Sequence, residues 1–106
     1  MIIRVLYRLS FIPSDLDALH EAWEAVVRAH AAAGHGALES VLLVDDETLG
    51  DPRAMATAIS RWQSREHWEL QRTDDVDLEA YGRFRALCEV EDKIVLREVA
   101  VIQGNR

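Results

Sequence analysis

The sequence predicts an α+β fold of the split βαβ kind, with four strands in one antiparallel sheet and helices laid over one of its faces. Two patterns and one order carry this. Apolar residues alternate with period two in separated stretches, and they recur at spacings of three and four in the segments between. The stretches follow one another as strand, long helix, strand, strand, shorter helices, strand. The 106 residues make a single domain, 1–106, whose 49% hydrophobic content is enough for one core.

Residues 2–11 set Ile3, Val5, Tyr7, Leu9 and Phe11 on one face and Ile2, Arg4, Leu6, Arg8 and Ser10 on the other, the alternation of a strand. Pro13-Ser14 ends it and offers a helix cap. Leu16, Leu19, Trp23, Val26, Val27 and His30 then mark one stripe of a long helix that stops at Gly34. Residues 38–44 read as a second strand, followed by an acidic loop, Asp45 to Pro52, expected to be solvated and mobile. Residues 54–62 are alanine-rich, yet period two sorts them cleanly. Ala54, Ala56, Ala58, Ser60 and Trp62 share one face, and Met55, Thr57, Ile59 and Arg61 the other, so the segment is read as a strand. A second helix is expected from Arg65 to Arg72, a polar hinge at Thr73-Asp74-Asp75, a third helix from Leu78 to Cys88, and a β-branched last strand from Lys93 to Ile102.

Charge narrows the function. Twelve basic against nineteen acidic residues leave a net charge of -7, and no cluster of Lys or Arg is dense enough to track a phosphate backbone, so nucleic acid is not an expected partner. The opening residues interleave arginines with apolar positions and read as neither a signal peptide nor a membrane span. The single cysteine, Cys88, rules out an internal disulfide and reads as a small buried hydrophobe; a soluble cytoplasmic protein is expected. Four histidines without an H-x-x-x-H spacing predict no metal site.

Both faces of the sheet are too apolar for either to be plain surface. Helices can cover one, so a second copy of the chain is expected to cover the other, making a homodimer through the sheet face. Arg4 and Arg8 on that open face are expected to pair with carboxylates such as Glu98 or Glu39.

The candidate site gathers at the corner Ile59 to Trp68, where a strand ends on Trp62 and a helix begins within two residues under a Ser64 cap. Small residues at Ala54, Ala56, Ala58 and Ser60 leave room for a ligand beside it. Trp62, Trp23, Tyr7, Tyr81 and Gln71 are candidate walls of an apolar slot, and His67 and Arg61 are candidate groups for handling a proton and a developing negative charge. For Trp62 and Trp23 packing is a commoner role than a ligand wall, and for His67 the commoner outcome is an exposed helical position. His67 and Trp68 are neighbours on one helix and compete for the inside. His30, near a helix C-terminus, is read as a structural partner of the helix dipole, and His20 and His35 as surface and loop positions.

The strand-Trp-x-Ser corner of residues 59–70, preceded by strand, long helix and strand and followed by the Ala80-Tyr81 helix and a β-branched strand, resembles the antibiotic biosynthesis monooxygenase family over residues 2–102. The resemblance implies a ferredoxin-like domain that pairs into a dimeric α+β barrel. It implies an oxygenase needing no metal or flavin, because a deprotonated phenolic, quinol or polyketide-like substrate can itself pass an electron to oxygen. Heme-degrading members carry Asn, Trp and His where Tyr7, Gln71 and Tyr81 align here, so heme degradation is disfavoured. Many relatives carry a histidine in place of Gln71. The alternatives are a non-catalytic dimer that binds a small ligand or a protein partner, or a related barrel cyclase or isomerase.

Overall fold

A computed structural model describes residues 1–34, 36–73 and 78–104. The order is β1 (Ile3–Phe11), α1 (Leu16–Ala32), β2 (Ala37–Val44), β3 (Ala54–Trp62), α2 (Arg65–Thr73), α3 (Leu78–Leu87) and β4 (Cys88–Arg97). All strand pairs are antiparallel and lie in the order β2-β3-β1-β4, the expected ferredoxin-like sheet with its helices on one face. No described helix is long and apolar enough to cross a membrane.

Alternation decides which side chains meet the helices. Ile3, Leu9 and Phe11 of β1 are buried beside their buried β3 partners Trp62, Ala56 and Ala54, and Val5 is buried opposite Ser60. They form two separate clusters. At one end Leu9, Phe11, Leu19, Ala54, Ala56, Ala58 and Cys88 pack together; at the other, Ile3, Val5, Trp62 and Trp68 do. Tyr7 packs against both and spans the interval between them.

The differences from the expected elements have local causes. Ser14 does not cap α1: Pro13–Asp15 forms a single 3-10 turn, and Asp15 precedes α1 with no side-chain cap bond. The acidic loop is built, with a 3-10 turn at Asp46–Thr48 whose Asp45 carboxylate accepts from Glu47 N–H and whose Thr48 hydroxyl accepts from Met55 N–H at 2.8 Å. β4 begins at Cys88, five positions before the expected Lys93, because a bulge opposite Arg8/Leu9 flips its alternation and hides the strand from a period-two reading. Cys88 and Val90 face the helices on one side of the bulge, and Lys93 and Val95 on the other. Burial pushes the Cys88 thiol up, as suits an inert core position. β4 also ends at Arg97, so the β-branched run after it is not in the sheet. Asp74 and Asp75 of the expected hinge, and His35, lie outside the described residues.

The open face holds an ion triad. Glu98 accepts from Arg4 Nε at 2.8 Å and from Arg61 at 2.7 and 3.1 Å, so β1 and β3 meet on one carboxylate just past the end of β4 that is 13% exposed. The expected pairing of Arg4 with Glu98 is there, whereas Arg8 donates to the Thr57 hydroxyl at 2.9 Å. Hydrogen bonds from Arg61 first, then from Arg4, hold the Glu98 carboxyl down to about 2 from an ordinary 4.5. A carboxylate whose folded value is depressed contributes stability that is present above its ordinary range and is lost as pH falls toward the folded value. Thermal unfolding followed from pH 5 to pH 2 should therefore show a loss of stability in the wild type that is shallower in Glu98→Gln; parallel curves would mean that the triad adds nothing.

Candidate functional site

Between the two core clusters lies a cavity of about 360 Å³, floored by the sheet and roofed by the helices. Its size falls within the range of small-molecule sites. Ala58 and Ser60 of β3 and Ser40 of β2 make the floor, Ser40 and Ser60 being direct register partners. These short side chains leave the volume that larger ones would fill. Of the small residues expected to leave room, Ala54 and Ala56 are instead packed into the first core cluster, so the hollow occupies only half of the predicted stripe.

The walls are aromatic. All three tryptophans of the chain line the cavity, Trp23 from α1, Trp62 from the end of β3 and Trp68 from α2, together with Tyr7, Tyr81, Phe84 and Gln71. Every residue expected as a wall is therefore at the cavity. Trp62 is both a packing residue and a wall: it is buried, and its indole N–H donates to Ser60 Oγ at 2.8 Å. Tyr81 is half exposed at the rim.

The two groups expected to do chemistry are elsewhere. The alternation that puts Trp62 inside puts Arg61 on the opposite face, where Glu98 holds it. His67 does not line the cavity. Trp68 takes the inward position of α2, because an indole hides roughly 200 Å², about 5 kcal/mol of burial, which an imidazole cannot match. Trp68 is almost fully buried, with the Arg65 and Lys93 cations 5.8 and 5.3 Å from its ring. His67 turns toward the loop between α1 and β2 instead. Its Nδ1 lies 2.6 Å from Ser64 Oγ, which also accepts from His67 N–H at 3.2 Å, so the expected Ser64 cap is present and the imidazole is its brace.

Two titratable groups not expected at the site do line the cavity: His30, read from the sequence as a structural partner of the helix dipole, and Arg85. His30 comes from the last turn of α1, its ring edge-on to Trp62 at 6.1 Å between centroids. Arg85 comes from α3, and among the described wall residues it alone carries a permanent positive charge. Both were within reach of the spacing. His30 continues the stripe Trp23, Val26, Val27, and Arg85 stands one helical turn beyond Tyr81. Among the described residues no His, Cys, Asp or Glu group could hold a metal ion.

No family model and no curated protein matches the sequence. Solved structures match its shape. A mutant of SnoaB, a cofactor-independent oxygenase from Streptomyces nogalater, aligns with a TM-score of 0.77 at 12% identity, covering 97% of this chain and 98% of that one. HapK from Hahella chejuensis gives 0.76 at 10% identity over all of both chains. A protein from Chloroflexus aurantiacus, provisionally named an antibiotic biosynthesis monooxygenase, gives 0.69 at 19% over 97% and 98%.

The chain shares the fold of these proteins.

At these identities the likeness is one of fold, and chemistry has to be argued from the cavity. Beside Trp62 the loop before β2 is tied to the corner before α2. Gln63 N–H donates to Gly36 O at 3.0 Å, and Gly36, at φ +81°, brings its backbone against the His67 ring so closely that a Cβ there would lie 2.5 Å from His67 Cδ2. Gly34 has a similar φ, +71°, with nothing near. Each alanine substitution carries a left-handed strain of about 1–2 kcal/mol, but only Gly36→Ala also displaces His67. Thermal denaturation should show Gly36→Ala clearly less stable than Gly34→Ala; equal losses would mean that His67 is not seated on the loop.

Proposed function

We propose that this chain is a cofactor-independent oxygenase that holds a flat phenolic, quinol or anthrone-like molecule between its two core clusters. The observation that carries this reading is the pairing of an aromatic slot with one imidazole and one guanidinium on its wall. An electron-rich ring stacks among Trp23, Trp62 and Tyr7, and water is excluded by the helical roof. SnoaB, which shares the fold, is a cofactor-independent oxygenase.

In the proposed reaction His30 takes a proton from the activated carbon of an anthrone-type methylene, and Arg85 balances the negative charge that spreads to the ring oxygen. The carbanion passes one electron to oxygen, and the radical pair joins as a C–O bond. The peroxide regains its proton from His30 and eliminates water, leaving a carbonyl. One oxygen atom enters the product, and the other departs as water with the two methylene hydrogens, so oxygen and substrate balance without a further reductant. His30 and Arg85 thus take the roles first assigned to His67 and Arg61.

We infer also that the working unit is a homodimer joined through the open sheet face. That face carries Val41, Leu43, Ile94 and Leu96 exposed to water, with Leu6 and Ile59 between them. A contiguous apolar surface of this kind is what a second copy would hide.

Oxygen uptake with 1,8-dihydroxy-9-anthrone tests the chemistry. Wild-type protein should turn over. His30→Ala should lose about 10²–10⁴-fold and Arg85→Met about 10²–10³-fold, while His67→Ala and Arg61→Met keep their rates. Turnover unchanged in His30→Ala would remove the base, and saturable binding with no oxygen uptake in the wild type would leave a ligand-binding protein in place of an enzyme.

A further inference from the structure

We propose that the hydroxyls of Ser40 and Ser60 on the cavity floor receive the oxygen atom that the reaction places on the substrate ring. The proposal rests on the oxygenase reading above and goes beyond it by naming the residues that hold the reacting oxygen and the edge of the ring that faces them.

The two serines break the pattern of the strands that carry them. The inward residues of β3 run Ala54, Ala56, Ala58, Ser60, and their β2 partners run Val44, Leu42, Ser40. Every inward residue before the serines is apolar, and Leu42 and Val44 pack against the first core cluster. Where only volume has to be spared, β3 uses alanine, as at Ala58 on the same floor. Hydroxyls stand at both members of one register pair, and that pair faces the hollow.

The pair presents donors without an acceptor. Ser60 Oγ accepts from the Trp62 indole N–H at 2.8 Å, while its own proton meets no acceptor among the described residues. Ser40 Oγ makes no hydrogen bond with any described residue. Side chains directly opposite in an antiparallel pair have Cβ atoms about 4.5–5.5 Å apart. One oxygen above them can therefore accept from both hydroxyls at ordinary distances of about 2.8 Å. Two O–H donors over one point suit an oxygen that is negatively charged or part of a carbonyl.

The fold decides which edge of the ring meets them. α3, which carries Arg85, packs on β4, and the serines stand on β2 and β3, on the other side of β1. A ring whose oxygen is balanced by Arg85 turns its opposite edge toward the serines. In an anthrone that edge is the methylene, the carbon that loses its protons. Once dioxygen has bonded there, the oxygen next to the carbon lies over the pair. The O–O bond then breaks, the outer oxygen leaves as water with the two methylene hydrogens, and the retained oxygen becomes a carbonyl that accepts from both hydroxyls. The serines donate hydrogen bonds throughout and transfer no proton.

The test compares two probes that differ at this position alone: 1,8-dihydroxy-9-anthrone, which has the methylene, and 1,8-dihydroxyanthraquinone, which has a carbonyl in its place. Both are titrated into the full chain under argon and followed by tryptophan fluorescence, and oxygen uptake is measured separately with the anthrone. Ser40 is the position to change, because Ser60 also holds Trp62. Alanine already serves the same floor at Ala58, so thermal denaturation of Ser40→Ala should match the wild type. Ser40→Ala should bind the quinone about tenfold more weakly and the anthrone as tightly as the wild type. Its kcat should fall about tenfold or more with KM for the anthrone unchanged. Ser40→Thr, which keeps the hydroxyl, should restore both. Equal losses for the two ligands would make Ser40 a general contact, and quinone binding unchanged in Ser40→Ala would place the oxygen elsewhere; either result overturns the proposal and leaves the oxygenase standing. A wild type that takes up no oxygen removes the oxygenase reading, and the serine seat with it.

Discussion

The structure depends on a core divided in two. Large side chains are concentrated at the ends of the sheet, Phe11, Leu9 and Leu19 at one and Ile3, Trp62 and Trp68 at the other, and the middle is left to Ala58, Ser60 and Ser40. Two stacks of side chains prop the helices away from the sheet, and the short residues between them cannot fill the gap. Close packing is the rule for protein interiors, and a cavity of this size in so small a domain is a stability cost that a filled core would not carry. Tyr7 touches both clusters and is the contact between them.

Period two separates the polar work from the apolar. On β3, inward Ser60 and Trp62 meet the cavity, while outward Thr57 and Arg61 bind Arg8 and Glu98. The guanidinium groups of Arg4, Arg8 and Arg61 are thus held in pairings on the open face, and none of the three lines the hollow. The charge inside has to come from the helices, which is where His30 and Arg85 stand. A residue's place in this molecule is decided first by its phase along a strand or a helix and only then by its chemistry.

This explains what could be read in the chain beforehand. Strong periodicity made the sheet, the long helix and four of the six aromatic walls legible, since Trp23, Tyr7, Trp62 and Tyr81 fall on well-marked elements, whereas Trp68 and Phe84 were not singled out. Proximity in sequence was the misleading signal: His67 and Arg61 are neighbours of Trp62 in the corner, but adjacent residues on a strand point apart, and adjacent residues on a helix cannot share one face. The start of β4 was hidden by a bulge that shifts the alternation by one. Its end was overrun because Val99 to Ile102 have strand composition yet join no strand among the described residues, and composition alone does not show whether a segment enters a sheet.

The central claim is that the gap between the two core clusters receives a flat aromatic molecule, and the three tryptophans that line it are its natural reporters. Their indole N–H resonances can be followed by ¹⁵N-edited NMR as 1,8-dihydroxy-9-anthrone is added under argon, where oxygenation cannot proceed. The account predicts that the resonances of Trp23, Trp62 and Trp68 all move, saturably and with one common dissociation constant. Three indoles that stay in place, or that drift without saturating, would contradict it.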